Sequence, residues 1–127
     1  MKMKVTEKIK IDHFSFSGLW EIPSACSLEI YKGEEHSVAV VSELYRDNPG
    51  TTITDVPVQL ATQICDQFSL DIKSLIYIEH NPETITKLSF YEEEFFRVHF
   101  TFNDNKPGDP RYEKISRSDL ESILSEG

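Results

Sequence analysis

The stretch DVPVQLATQICDQFS, residues 55–69, decides the fold class. Val56, Leu60, Ile64 and Phe68 recur every four residues with Ala61 and Cys65 beside them, which predicts one amphipathic helix with a single apolar stripe. Thr54 or Asp55 stands where an N-cap is needed. Pro57 falls in the first turn, where a missing N–H costs nothing. Around this helix the chain alternates with the period of a strand.

Upstream, MKMKVTEKIKI (residues 1–11) sets Lys2, Lys4, Thr6, Lys8 and Lys10 on one face and Met3, Val5, Glu7, Ile9 and Ile11 on the other. A Lys-lined face is how an edge strand discourages pairing with other sheets. His13 to Ser17 turns Phe14 and Phe16 inward, and residues 25–32 (ACSLEIYK) do the same with Cys26, Leu28 and Ile30. KGEE around Gly33 reads as a hairpin connection into SVAVVSELY, residues 37–45. Over Val38–Val41 that strand is apolar on both sides, the mark of a central strand covered twice.

Downstream, SLIYIEH (74–80), TITKLSFY (84–91) and FFRVHFTF (95–102) read as three more strands. Glu92–Glu94 reads as a solvated turn, and NDNKPGDPRY (103–112) as a surface loop by its Pro, Gly and Asp content. Ser118 and Glu121 form a capping-box pattern ahead of a short C-terminal helix that docks through Leu120, Ile123 and Leu124. The expected order is β-β-β-α-β-β-β-α: one α+β domain over residues 1–127. It has a mostly antiparallel sheet of five to six strands, the main helix on one face and a short C-terminal helix. The crossover between residues 37–45 and 74–80 is long enough for a parallel pair, and the pattern alone leaves its direction open.

Length and composition narrow the function. The chain has 127 residues, the size of one domain, and 39% hydrophobic against 28% charged residues excludes a disordered chain. No apolar run approaches the roughly 20 residues needed to span a bilayer, and Lys2, Lys4, Lys8 and Lys10 interrupt any signal-peptide core, so a cytoplasmic protein without membrane partners is expected. The net charge is −9, with +3 over residues 1–10 and −12 over the rest, which argues against nucleic acid as a partner. Cys26 and Cys65 form no C-x-x-C pair and read as reduced core thiols. The four His lack metal-site spacing and there is no G-x-S-x-G elbow, so no metal, cofactor or catalytic residue is expected.

Two functional readings follow. Tyr91 and Phe95 fall on the opposite face from Phe90 and Phe96, together with Arg97 and His99. If the main helix covers only one side of the sheet, that second face is an aromatic patch for a protein partner or a second copy of the chain. The alternative is a small-molecule or anion-binding domain or enzyme, built from Arg46, Asn48 and Thr51 at the start of the main helix with Glu79 and His80 at the following strand end. There Arg46 would fix an anion and His80 would move a proton, oriented by a carboxylate such as Glu43. Alternation sets Glu79 and His80 on opposite faces, which favours a half-buried, hydrogen-bonded structural role for His80.

The segments SELYRDNPGTTIT and IYIEHNP, linked by the LATQIC helix, resemble a family of small uncharacterised bacterial proteins with E-L-x-x-x-N-P-G-T and I-E-H-x-P motifs, over roughly residues 26–125. The resemblance implies a bacterial or mobile-element source and a shared turn or pocket near Asn48–Thr52 and Glu79–Pro82. Within that setting an accessory or inhibitor protein of a mobile element is one form of the binding module.

Overall fold

A computed structural model describes residues 5–17, 23–46 and 55–124. Three strands come first: β1 (Val5–Ser17), β2 (Pro23–Gly33) and β3 (Ser37–Arg46). Helix α1 (Asp55–Phe68) and a 3-10 turn (Ile72–Ser74) lead into β4 (Leu75–Asn81). The short β5 (Thr84–Ile85) and β6 (Phe90–Tyr91) pair with each other in a separate two-stranded sheet. Strands β7 (Glu94–Asn103) and β8 (Lys106–Ile115) and helix α2 (Arg117–Leu124) complete the chain. The main sheet has six strands in the order β1-β2-β3-β4-β7-β8, antiparallel throughout except for the parallel β3–β4 pair.

The central position of β3 explains its composition. Ala39 and Val41 enter one core with Leu28, Ile30, Leu60, Ala61, Ile64 and Val98 beneath α1. Val38 and Val40 enter a second core with Ile78, Phe95 and Leu120 beneath α2. Fully burying a Leu or Ile side chain stabilises by about 1.5–3 kcal/mol, so these two layers hold the sheet from both sides.

β1 is an edge strand, as its lysines predict, but its alternation is not uniform. Register shifts between Val5 and Glu7 and between Ile11 and Phe14 exchange its faces. Val5 therefore packs with the α2 core, while Ile9, Ile11, Phe14 and Phe16 all join the α1 core despite their mixed parity. At the strand's end, Ser17 N–H donates to Gln63 Oε1 (3.0 Å) and Gln63 Nε2 donates to Ser17 O (2.6 Å). One helix amide thus stands in for a neighbouring strand at that edge.

The other edge corrects the expected loop at residues 103–112, because β8 runs through most of it. Asp104 and Asn105 have φ of 50° and 70°, the left-handed pair that a two-residue hairpin turn requires. Pro107 and Pro110 are tolerated because an edge strand has no partner on its outer side for their missing N–H. The expected strand at 84–91 is instead a small hairpin. Thr86 N–H donates to Ser89 O (2.8 Å), and Thr86 Oγ1 accepts from Ser89 N–H (2.9 Å). The cap of α2 also lies two residues earlier than predicted: Ser116 N–H donates to Asp119 Oδ2 and Asp119 N–H to Ser116 Oγ, both at 3.0 Å.

Candidate functional site

The parallel ladder between β3 and β4 ends with Ser42 beside His80, both on the α2 side of the sheet. His80 is the penultimate residue of β4, just before the chain leaves the sheet for the β5–β6 hairpin, and Glu93 stands where the chain returns. The two meet: His80 Nε2 lies 2.7 Å from Glu93 Oε1, and His80 Nδ1 lies 2.9 Å from Ser42 Oγ. The hairpin excursion is therefore buttoned at its base. Arg117, the first residue of α2, donates from Nη2 to both Glu93 carboxylate oxygens at 2.5 Å. The Arg117 guanidinium and, second, the His80 ring hold the Glu93 carboxyl below its ordinary range.

These bonds settle the tautomer of a neutral His80. An ionised Glu93 only accepts, so Nε2 carries the proton, Nδ1 is the acceptor, and Ser42 Oγ–H donates to it. Phe95 stacks on the His80 ring, with centroids 4.6 Å apart and planes within 14°, and the Arg117 guanidinium carbon lies 5.3 Å from the Phe95 ring centroid. Side-chain exposures of 19% for His80 and 27% for Glu93 leave the row in contact with solvent.

The expected site residues scatter. Phe95 is 5% exposed, which removes it from any open aromatic patch; α2, with Leu120, Ile123 and Leu124, covers that part of the sheet. Tyr91 lies in β6, with its side chain outside the described residues. Arg97 and His99 are half-buried on the same face of β7, and His99 Nε2 sits 2.9 Å from Glu113 Oε1 across to β8. Glu79 and His80 do point to opposite sides, and the carboxylate that orients His80 is Glu93, from the run expected to be a solvated turn. Asn48 and Thr51, and the side chains of Arg46 and Glu43, lie outside the described residues.

What the parity of residues 84–91 did not reveal is how far the hairpin projects. Leu88 is 97% exposed, Ile85 73% and Phe90 55%. Their backbone is nonetheless tied into a turn, with Thr86 Oγ1 also accepting from Leu88 N–H at 3.3 Å. Around this apolar tip, residues 79–94 carry five Glu against one Lys.

Elsewhere, a half-open groove of about 730 Å³ runs between α1, the 3-10 turn and the β7–β8 hairpin, floored by Val58, Leu70, Ile72 and Pro107 and touched by Cys65. Burial, with the nearby Asp66 and Asp71 carboxylates, pushes the Cys65 thiol up to about 11, and burial pushes Cys26 up to about 12. Both stay protonated at neutral pH and act as packing groups. Among the described residues, no three His, Cys, Asp or Glu side chains gather as a metal set, and no helix is long and apolar enough to cross a membrane. Comparison of the chain with protein-family models, with curated proteins and with solved structures finds no match in any of the three.

Proposed function

We propose that this protein is a docking module that inserts the tip of its β5–β6 hairpin into an apolar cleft of another protein. The exposure of Ile85, Leu88 and Phe90 on a turn that is internally hydrogen-bonded carries the reading. An apolar side chain left in water contributes nothing to the fold, whereas an ordered turn presents it to a partner with little further entropy to lose. The acidic flank specifies the partner further. Glu83 and Glu92 are exposed beside the tip, so the cleft that receives it is edged by Lys or Arg. A second copy of the chain is a poor occupant, because two bodies of −9 repel.

A photo-reactive amino acid at position 88, introduced in the cells of origin, tests this directly. The expected product is one discrete adduct with a different protein, lost when Ile85 and Phe90 are both changed to Ser. The purified chain should also scatter light as a 14.7 kDa monomer. An adduct of the chain with itself, or none in a folded protein, overturns the reading.

A further inference from the structure

The row beneath the hairpin has an arrangement that docking does not use. Ser42, His80 and Glu93 are linked hydroxyl to imidazole to carboxylate at 2.9 and 2.7 Å, and Arg117 fixes the carboxylate in turn. A nucleophile bonded to a base that a third group orients is the geometric signature of an activated serine. We propose that Ser42 is a nucleophile for acyl transfer from neutral carboxylic esters, with His80 as its general base and Glu93 as the residue that positions His80.

Several features of the row support this. The tautomer is the required one: with Nε2–H committed to Glu93, the free lone pair of Nδ1 faces the Ser42 hydroxyl. The place also fits, because Ser42 and His80 form the last register pair of the parallel β3–β4 ladder, and ligands of open sheets sit at the carboxyl ends of parallel strands. Ser42, His80 and Glu93 are each partly exposed, so the row borders solvent. Stacking on Phe95 holds the imidazole plane, so the ring does not swing away from Ser42 when Nδ1 takes a proton. The resulting imidazolium faces the Glu93 carboxylate, which stabilises it.

Ser42 sits on no strand–helix elbow, in keeping with the missing G-x-S-x-G, and in this proposal the parallel register takes the elbow's place. Two straight strands in register bring the nucleophile and the base to one row, where hydrolases with a strand–helix turn use the turn. A net charge of −9 selects against anionic esters, which is why the substrate class is neutral.

The step balances without a further redox partner. Ser42 Oγ bonds to the ester carbonyl carbon while its proton passes to His80 Nδ1. The bond from that carbon to the alkoxy oxygen breaks, and the departing alcohol takes the proton from Nδ1. Water then adds to the acyl carbon, gives its proton to Nδ1, and Ser42 leaves with that proton, yielding the carboxylic acid.

An uncharged alkyl fluorophosphonate reads the first step without requiring turnover, since Ser42 Oγ displaces fluoride and the protein gains the probe less HF. Intact mass and peptide mapping should find one adduct, on Ser42, absent in Ser42→Ala. His80→Gln should slow its formation by roughly 10²- to 10⁴-fold, the usual worth of a positioned base. The rate of the unaltered protein should follow one deprotonation that His80→Gln removes from the pH profile. Ser42→Cys gives a second reading, as its alkylation by chloroacetamide should depend on His80 in the same way. Circular dichroism of each variant accompanies the rates. A folded protein with no adduct on Ser42, or an adduct formed equally fast in His80→Gln, overturns the proposal, and a loss of thermal stability in Ser42→Ala without any adduct on the unaltered chain does the same. These readouts do not involve Leu88, so they stand or fall apart from the docking experiment.

Discussion

Beneath α1 the sheet meets a continuous apolar layer in which Leu28, Ile30, Ala39, Val41, Leu60 and Ile64 are all at most 1% exposed. Beneath α2 it meets a smaller apolar centre of Val38, Val40, Ile78, Phe95 and Leu120, bordered by hydrogen-bonded pairs. Tyr31 donates to Glu29 at 2.6 Å toward one edge, His99 meets Glu113 toward the other, and the Ser42–His80–Glu93–Arg117 row closes the end. A 14-residue helix can seal its face with hydrocarbon, whereas an eight-residue helix cannot, and polar side chains finish the margin. The first face is therefore the more completely sealed, and the second carries half-exposed polar groups at its margin.

Leu60→Ala tests the first half of that contrast most severely. Leu60 is fully buried, and its truncation should cost about 3 kcal/mol, inside the usual range of about 2–5 for such a deletion. Leu120→Ala, on the shorter helix and 8% exposed, should cost about 2 kcal/mol. The two should also differ in kind. Hydrogen exchange after Leu60→Ala should accelerate throughout the sheet, and after Leu120→Ala chiefly within α2. Equal losses with the same exchange pattern would mean that the two layers unfold as one and that the distinction has no energetic content.

Among the described residues, the α1 layer encloses a buried hydroxyl. Tyr77 is 1% exposed and its hydroxyl has no hydrogen-bond partner among the described residues, while its ring meets Phe100 edge-on at 5.9 Å. Burial is the first cause raising its phenol well above the ordinary value, followed by Glu79. Tyr77→Phe keeps the ring contact and removes the stranded hydroxyl, so it should stabilise by about 1 kcal/mol in urea titrations. A loss of stability would show that the hydroxyl has a partner and that this layer is less dry than its side chains indicate.

How much of this was legible depends on the range of the interaction. Val38–Val41 and the Leu60–Ile64–Phe68 stripe announce themselves because burial on two faces, or on one stripe, constrains every residue locally. β8 was hidden because Pro107, Gly108 and Pro110 carry the composition of a loop, and only the partnership with β7 makes them a strand. Parity assigns Phe95 to the second face but says nothing of what a later helix lays across it, so whether that face is open is not legible locally. The pairing of Ser42 with His80 depends on a parallel register over 38 residues of chain, for which no local spacing exists. Glu93 sits in a run of three glutamates whose members are alike on paper, and it is singled out only by Arg117 arriving 24 residues later.

The polar margin should respond to acid in a way the hydrocarbon face does not. Because the Arg117 guanidinium first and the His80 ring second depress the Glu93 carboxyl below its ordinary 4.5, the unfolded chain binds that proton more readily than the folded one. The contribution is full above pH 4.5 and disappears as pH falls through the depressed value. Glu93→Gln should therefore have a lower urea midpoint than the unaltered chain at neutral pH, and the gap should narrow once pH drops below 4.5. Leu60→Ala, which changes no titrating group, should show a gap that stays level across the same titration. A Glu93→Gln gap that is also level would show that the loss comes from geometry at the hairpin base and not from charge.

Leu88→Ser carries the smallest expected effect, and its smallness is informative. At 97% exposure the side chain has almost no contacts to lose, and its replacement should move the melting temperature by no more than an exposed polar substitution does, within about 0.5 kcal/mol. The Thr86–Ser89 bonds that shape the turn involve the backbone and Thr86, so the hairpin should keep its form without Leu88. With the photo-reactive residue moved to position 85, the same substitution should abolish the cross-linked partner. Stability untouched and docking lost would place the apolar tip outside the folding energetics of both faces, as a surface retained for another molecule. If Leu88→Ser instead destabilises the isolated chain by as much as Leu120→Ala, the tip packs onto the protein in solution, and the contrast between sealed faces and projecting hairpin fails at its most exposed point.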